Sequence, residues 1–148
     1  MFHIILFEPE IPPNTGNIIR LSVNIGCELH LIRPLGFSID QKSLRRAGMD
    51  YISEKQFNIW DNLDNCLNKI RISTIYSVST KGEKNYTDIN FRSGDAFIFG
   101  PESRGLPKKI RNDYTSIFIP MRSKGRSINL ANAVSVILYE AWRQLDFN

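Results

Sequence analysis

Cysteine is scarce in this chain of 148 residues: Cys27 and Cys66 are the only two. Their separation fits no metal-ligand or redox spacing, so no metal centre is expected and a reduced, cytoplasmic setting is. Histidine is equally sparse, with His3 and His30, each inside a predicted strand and read as structural. No stretch approaches the roughly 20 apolar residues needed to span a bilayer, which excludes a membrane helix. The opening MFHIILFEPE has its apolar run cut short by Glu8 and Glu10. It lacks a basic leader and a cleavage-like site, so no signal peptide is expected. Repeats, low-complexity tracts and linkers are missing too. There is no G-x-G-x-x-G, and although Gly100 and Gly105 have Walker spacing, Leu106-Pro107 stand where a phosphate-binding loop needs Lys-Ser/Thr.

What is present suits one α/β domain over residues 1–148. With 42% hydrophobic and 23% charged residues the chain can bury a core. Residues 2–7, 28–32, 73–79, 95–99 and 115–119 read as strands. Helices are predicted over 15–25 with Asn14 as cap, 40–47, 60–70, 107–112 and 129–145. The 60–70 helix rests on Trp60, Leu63, Cys66, Leu67 and Ile70 at helical spacing. Alternating strands and helices predict a Rossmann-like, mostly parallel sheet covered on both faces. The net charge of +4 and pI of 9.2 are compatible with a polyanionic partner. Basic clusters at 42–46 and 108–111 read equally well as solvated surface. The cluster at 122–126 lies between two motif halves, which favours a functional role.

Three segments carry the chemistry: PPNTGNIIR at 12–20, FIFGPESRGLP at 97–107 and IPMRSKGRSINLANAVSVILYEAWRQ at 119–144. Two glycine-containing polar loops each follow a short apolar run, an arrangement by which α/β enzymes hold nucleotide-like ligands through main chain. In this order and spacing the segments resemble the knotted RNA methyltransferases of the SPOUT class. They are most similar to its small single-domain group, which methylates the ribose 2′-hydroxyl of the tRNA wobble nucleotide. The resemblance runs from Glu8-Pro9 to Gln144 and implies a deep C-terminal trefoil knot, with S-adenosylmethionine as cofactor. It also implies a tRNA substrate with a pyrimidine at position 34, leucine tRNAs being the expected set. Three converging loops would form the cofactor pocket, with Val78, Gly100, Ile119, Met121, Ser127 and Leu130 as contacts. Glu102 has two readings: it holds a neighbouring loop or arginine, or it touches the ligand.

The resemblance assigns Arg20 the central catalytic role, with Ser127 and Asn129 orienting ribose and cofactor. Asn14 is open to contact with the substrate as well as capping. A guanidinium keeps its proton, so Arg20 is read as a cation that steadies the developing alkoxide rather than as a base. Arg126, Arg45, Arg46, Lys81, Arg122 and Lys124 are the RNA-contact candidates, the basic 121–126 loop being a departure from the group's pattern. The final helix has little polar face, which calls for burial on two sides. The resemblance supplies the second surface as a homodimer through the region of Tyr139 and Trp142. Methylation of another tRNA site or of ribosomal RNA, a non-catalytic RNA-binding module, and a nucleotide-binding regulator are the alternatives.

Overall fold

The structure, a computed structural model, describes residues 1–40, 42, 56–122 and 126–148. Seven parallel strands form one sheet in the order β3-β2-β1-β6-β4-β7-β5. They are β1 (His3–Phe7), β2 (Glu28–Ile32), β3 (Asn58–Trp60), β4 (Ile75–Val78), β5 (Lys84–Asn85), β6 (Ala96–Phe99) and β7 (Thr115–Phe118). The α-helices among the described residues include α1 (Pro12–Ile25), α2 (Leu63–Leu67), α3 (Lys108–Asp113) and α4 (Leu130–Arg143).

Strand parity divides the apolar residues between two faces. Ile4 and Leu6 of β1, Leu29 and Leu31 of β2, and Phe97 and Phe99 of β6 share a core with Ile18 and Ile19 of α1 and Val134, Ile137 and Leu138 of α4. Phe97 is its centre, with the rings of Phe91, Phe2 and Tyr76 at 5.2, 5.8 and 5.8 Å. Ile5, Ile32, Ala96 and Ile98 point the other way, onto Cys66, Leu106 and Ile110. Burial on both faces explains why these strands read as continuous apolar runs rather than as alternating ones.

The parallel α/β architecture is as expected, and two local readings are corrected. Trp60 belongs to a strand: β3 pairs with β2 through Ile32↔Trp60, and the helix that follows covers only Leu63–Leu67. Asn62 caps it, accepting from the Asn65 N–H at 2.8 Å. Asn14 is not a helix cap, because α1 starts at Pro12 with Ile11 at the cap position. Prolines are tolerated in a first turn, where their missing N–H groups would have no intrahelical partner. The two-residue β5 has no apolar alternation to announce it. The predicted 40–47 helix falls outside the described residues apart from Asp40 and Lys42.

The loop after β4 crosses the end of β7. Ser79 N–H donates to Ile117 O at 3.0 Å and Glu83 N–H to Ser116 O at 3.1 Å. A Cβ on Gly82 would lie 2.4 Å from the Ile117 carbonyl carbon and 2.5 Å from its oxygen, so only glycine fits that crossing. Gly82→Ala is expected to push the two segments apart and lower stability by about 1–3 kcal/mol, to be read by urea denaturation at unchanged m-value.

Candidate active site

In a parallel sheet the carboxyl ends of all strands lie on one edge, and ligands bind in the crevice outside it. On that edge β1, β6, β4 and β7 are successive neighbours. The loops 8–11, 79–83 and 100–107 and the segment 119–122 therefore emerge side by side. The three segments singled out in the sequence are brought together here by the strand order.

Glu102 is the hub. Its carboxylate accepts from Glu10 N–H at 2.8 Å, Ile11 N–H at 3.0 Å and the Asn14 side-chain amide at 3.3 Å. Of its two readings, the loop-holding one is what the structure displays. The Asn14 side-chain Oδ1 in turn accepts from Asn129 Nδ2 at 2.8 Å. Asn129 caps α4, its Oδ1 taking the N–H groups of Ala131 at 2.8 Å and Asn132 at 3.4 Å. One polar chain thus links the loop after β6, the start of α1 and the start of α4. Asn14 is 7% exposed, and a buried amide of this kind must have its partners.

Two further clasps fix the same loops. The Glu10 carboxylate accepts from Ser103 N–H at 2.9 Å and Ser103 Oγ at 2.8 Å. These bonds, with Arg104 nearby, hold its pKa below the usual carboxylate value. Arg104 pairs with Glu8, which sits in the left-handed region at φ 51°. Sequence reasoning overlooked Glu8, Glu10, Ser103 and Arg104 as positioning residues. The available signal was the Glu-Pro-Glu run opposite a Ser-Arg pair in a loop with its own glutamate.

The remaining candidates divide by position. Val78 and Ile119 are half-buried at the ends of neighbouring strands, and Leu130 is half-buried at the entrance of α4. Met121 and Ile128 are 37% and 38% exposed on the loop between them. Gly100 lies where the loop after β6 folds back, a Cβ there falling 2.3 Å from Leu106 N. Arg122, Arg126 and Ser127 are exposed on the loop after β7, and Lys81 is exposed on the loop after β4. Arg20 is exposed on α1, six residues beyond Asn14 and so about 9 Å further along the helix axis. Arg45, Arg46 and Lys124 lie outside the described residues.

These apolar side chains beside main-chain loops suit a flat heteroaromatic base with a short polar tail. The group needs a narrow slot and no strong counter-charge. Weakening the hub is expected to loosen all three segments. Glu102→Ala should cost about 2 kcal/mol and Glu102→Gln, which keeps one acceptor, about half that, as measured by chemical denaturation.

The chain is similar to known proteins along its whole length. The pattern of the SpoU rRNA methylase family matches residues 1–139. A tRNA (cytidine(34)-2′-O)-methyltransferase of Methylovorus glucosotrophus is 48% identical over 99% of this chain and 97% of its own length. The protein so named from Saccharophagus degradans is 51% identical over the same shares. A solved structure concerned with 2-OH methylation of C/U34 on tRNA superposes with a TM-score of 0.90 at 42% identity, covering 100% of this chain and 98% of that one.

Proposed function

Because the chain belongs to the SpoU rRNA methylase family, we propose that it is an S-adenosylmethionine-dependent tRNA methyltransferase, acting on the ribose 2′-hydroxyl of the pyrimidine at wobble position 34. The observation that carries this reading is the end-to-end similarity to relatives named for that reaction, 48% identical over 99% of this chain and 97% of theirs. The hydrogen bonds linking Asn14, Glu102 and Asn129 support it by tying the loops of the carboxyl edge together. The cofactor brings an electrophilic methyl group on a sulfonium. Val78, Ile119, Met121 and Leu130, with Gly100 and Ser127 offering main chain and hydroxyl, are the residues that would hold its adenosine.

The remaining work belongs to the protein. Methyl transfer to a hydroxyl is an in-line displacement, so fixing the angle of approach supplies much of the rate. The Glu102–Asn14–Asn129 chain does this by locking the starts of two helices against one loop. Charge grows on the 2′-oxygen as its proton leaves, and a pre-organised cation opposite it lowers the barrier. Arg20 is assigned that role, its guanidinium staying protonated throughout, while a substrate phosphate or water takes the proton. Arg122, Arg126 and Lys81, exposed on the same edge, suit phosphate contacts in an anticodon loop. Such contacts make binding salt-dependent.

The distance of Arg20 from the loops along α1 supports a second part of the reading, a C2 homodimer in which each site draws on both chains. Val136 and Tyr139 of α4 are 36% and 48% exposed, and Val23 of α1 is 51% exposed. Tyr139 lies against Trp142 in a tilted arrangement, ring centroids 5.9 Å apart, which adds aromatic surface along the last helix. The crossing of loop 79–83 over β7 supports the knotted C-terminal path.

The reaction is tested by incubating the protein with S-adenosylmethionine and tRNA lacking wobble ribose methylation, then mapping 2′-O-methylnucleosides by mass spectrometry. A new methyl at nucleotide 34 is expected; one elsewhere in tRNA, or only in ribosomal RNA, would discard the assigned position. Arg20→Ala should lower kcat by about a hundredfold or more while tRNA binding persists. Tyr139→Glu should yield a monomer by light scattering, with turnover lost alongside.

A further inference from the structure

At the opposite edge of the sheet, strand pairing gathers three metal-ligating side chains that play no part in the reaction above. His3 of β1 is in register with Glu28 of β2. His30 lies two residues beyond Glu28, so all three point to the same face. His3 Nδ1 is 3.2 Å from His30 Nε2 and 3.7 Å from Glu28 Oε2, and His30 Nε2 is 3.8 Å from the same oxygen. Ligand atoms about 2.0–2.2 Å from a tetrahedral ion lie about 3.3–3.6 Å apart, so the triangle is close to the required size.

We infer that His3, His30 and Glu28 form a binding site for a divalent transition-metal ion, with zinc as the best fit, fastening β1 to β2. Two imidazoles and one carboxylate suit zinc with a fourth position left to solvent. That position faces an open groove lined by His3, Glu28, Arg71, Ser73 and Ser93, which gives the ion a way in. Lys69 and Arg71 on the same groove favour an anionic fourth ligand such as hydroxide or chloride. The outer shell is built for His3, whose Nε2–H donates to the Arg71 carbonyl at 3.0 Å. Ligating histidines are oriented through just such a contact on their other nitrogen, and it leaves the Nδ1 lone pair aimed at the cluster. His30 is fully buried, its Nε2 directed at His3.

Trp60 makes the site conditional. Its indole N–H donates to His30 Nδ1 at 3.2 Å. Without metal, that bond requires the His30 proton to sit on Nε2, donated to His3 Nδ1. Metal on Nε2 moves the proton to Nδ1, where it faces the indole N–H, so the half-buried Trp60 side chain must swing away. The number of protons is unchanged, and two hydrogen bonds, Trp60–His30 and His30–His3, are exchanged for bonds from the ion to His3 Nδ1, His30 Nε2 and the Glu28 carboxylate. No cysteine is involved and the ligands come from two separate strands, so the spacing that argued against a metal could not register this cluster. It lies one strand length, roughly 13 Å, from the reacting edge.

The test is a titration of the metal-stripped full chain with Co2+, followed by displacement with Zn2+. Expected are one Co2+ per chain with the visible d–d absorption of a tetrahedral site, a change in Trp60 fluorescence, and a Zn2+-dependent rise in Tm. His3→Ala, and the exposed Glu28→Gln should His3→Ala fail to fold, should weaken binding by about a hundredfold or more. Trp60→Phe removes the competing hydrogen bond and should tighten binding by roughly fivefold. A tetrahedral spectrum that never develops, binding indifferent to Glu28→Gln, or weaker binding by Trp60→Phe would overturn the assignment.

Discussion

The carboxylate of Glu102 is the contact on which the reacting edge depends. A parallel sheet places four loops side by side but does nothing to hold them there, since each is anchored only at its strand. Glu102 reaches from the loop after β6 to two backbone N–H groups ahead of α1 and to Asn14. Asn14 extends the tie to the cap of α4. The bonds are charge-assisted at one end and fully partnered along their length, the condition under which a polar network rigidifies rather than weakens a core. Glu10–Ser103 and Glu8–Arg104 repeat the tie on its outer side.

With the loops fixed, the sheet separates two kinds of chemistry by its edges. The carboxyl edge collects the glycine loops, the half-buried Val78, Ile119 and Leu130, and exposed arginines. The amino edge collects two histidines and a glutamate through strand register alone. Nothing in the methyl-transfer reading draws on that second cluster. Its arrangement of Trp60, His30, His3 and the Arg71 carbonyl assigns each ring proton a place.

Much of the fold was legible because the strands are buried on both faces. β2 falls where its apolar run predicts, and β1, β4, β6 and β7 differ by a few residues at their ends. The misreadings have local causes. Three-residue β3 contributes too little pattern to compete with the helical spacing of Trp60, Leu63, Cys66, Leu67 and Ile70. What holds Trp60 in a strand is hydrogen bonding to β2, a partner 28 residues away in register with Ile32. Asn14 looked like a cap because capping residues normally precede a helix. Pro12 and Pro13 allow α1 to begin earlier and leave the amide free to face Glu102.

By itself the sequence determined the class of fold, the three motif segments and the chemistry they resemble, because each depends on residue type and short-range spacing. It could name Asn14, Glu102 and Asn129 as candidates but not join them. Their meeting rests on pairs 88 and 115 positions apart, brought within hydrogen-bonding distance by the order β1-β6-β4-β7. The grouping of His3, Glu28 and His30 was likewise settled only by the register of β1 against β2. Register and strand order are properties of the folded sheet, fixed by which apolar faces can be buried together, and no local pattern encodes them.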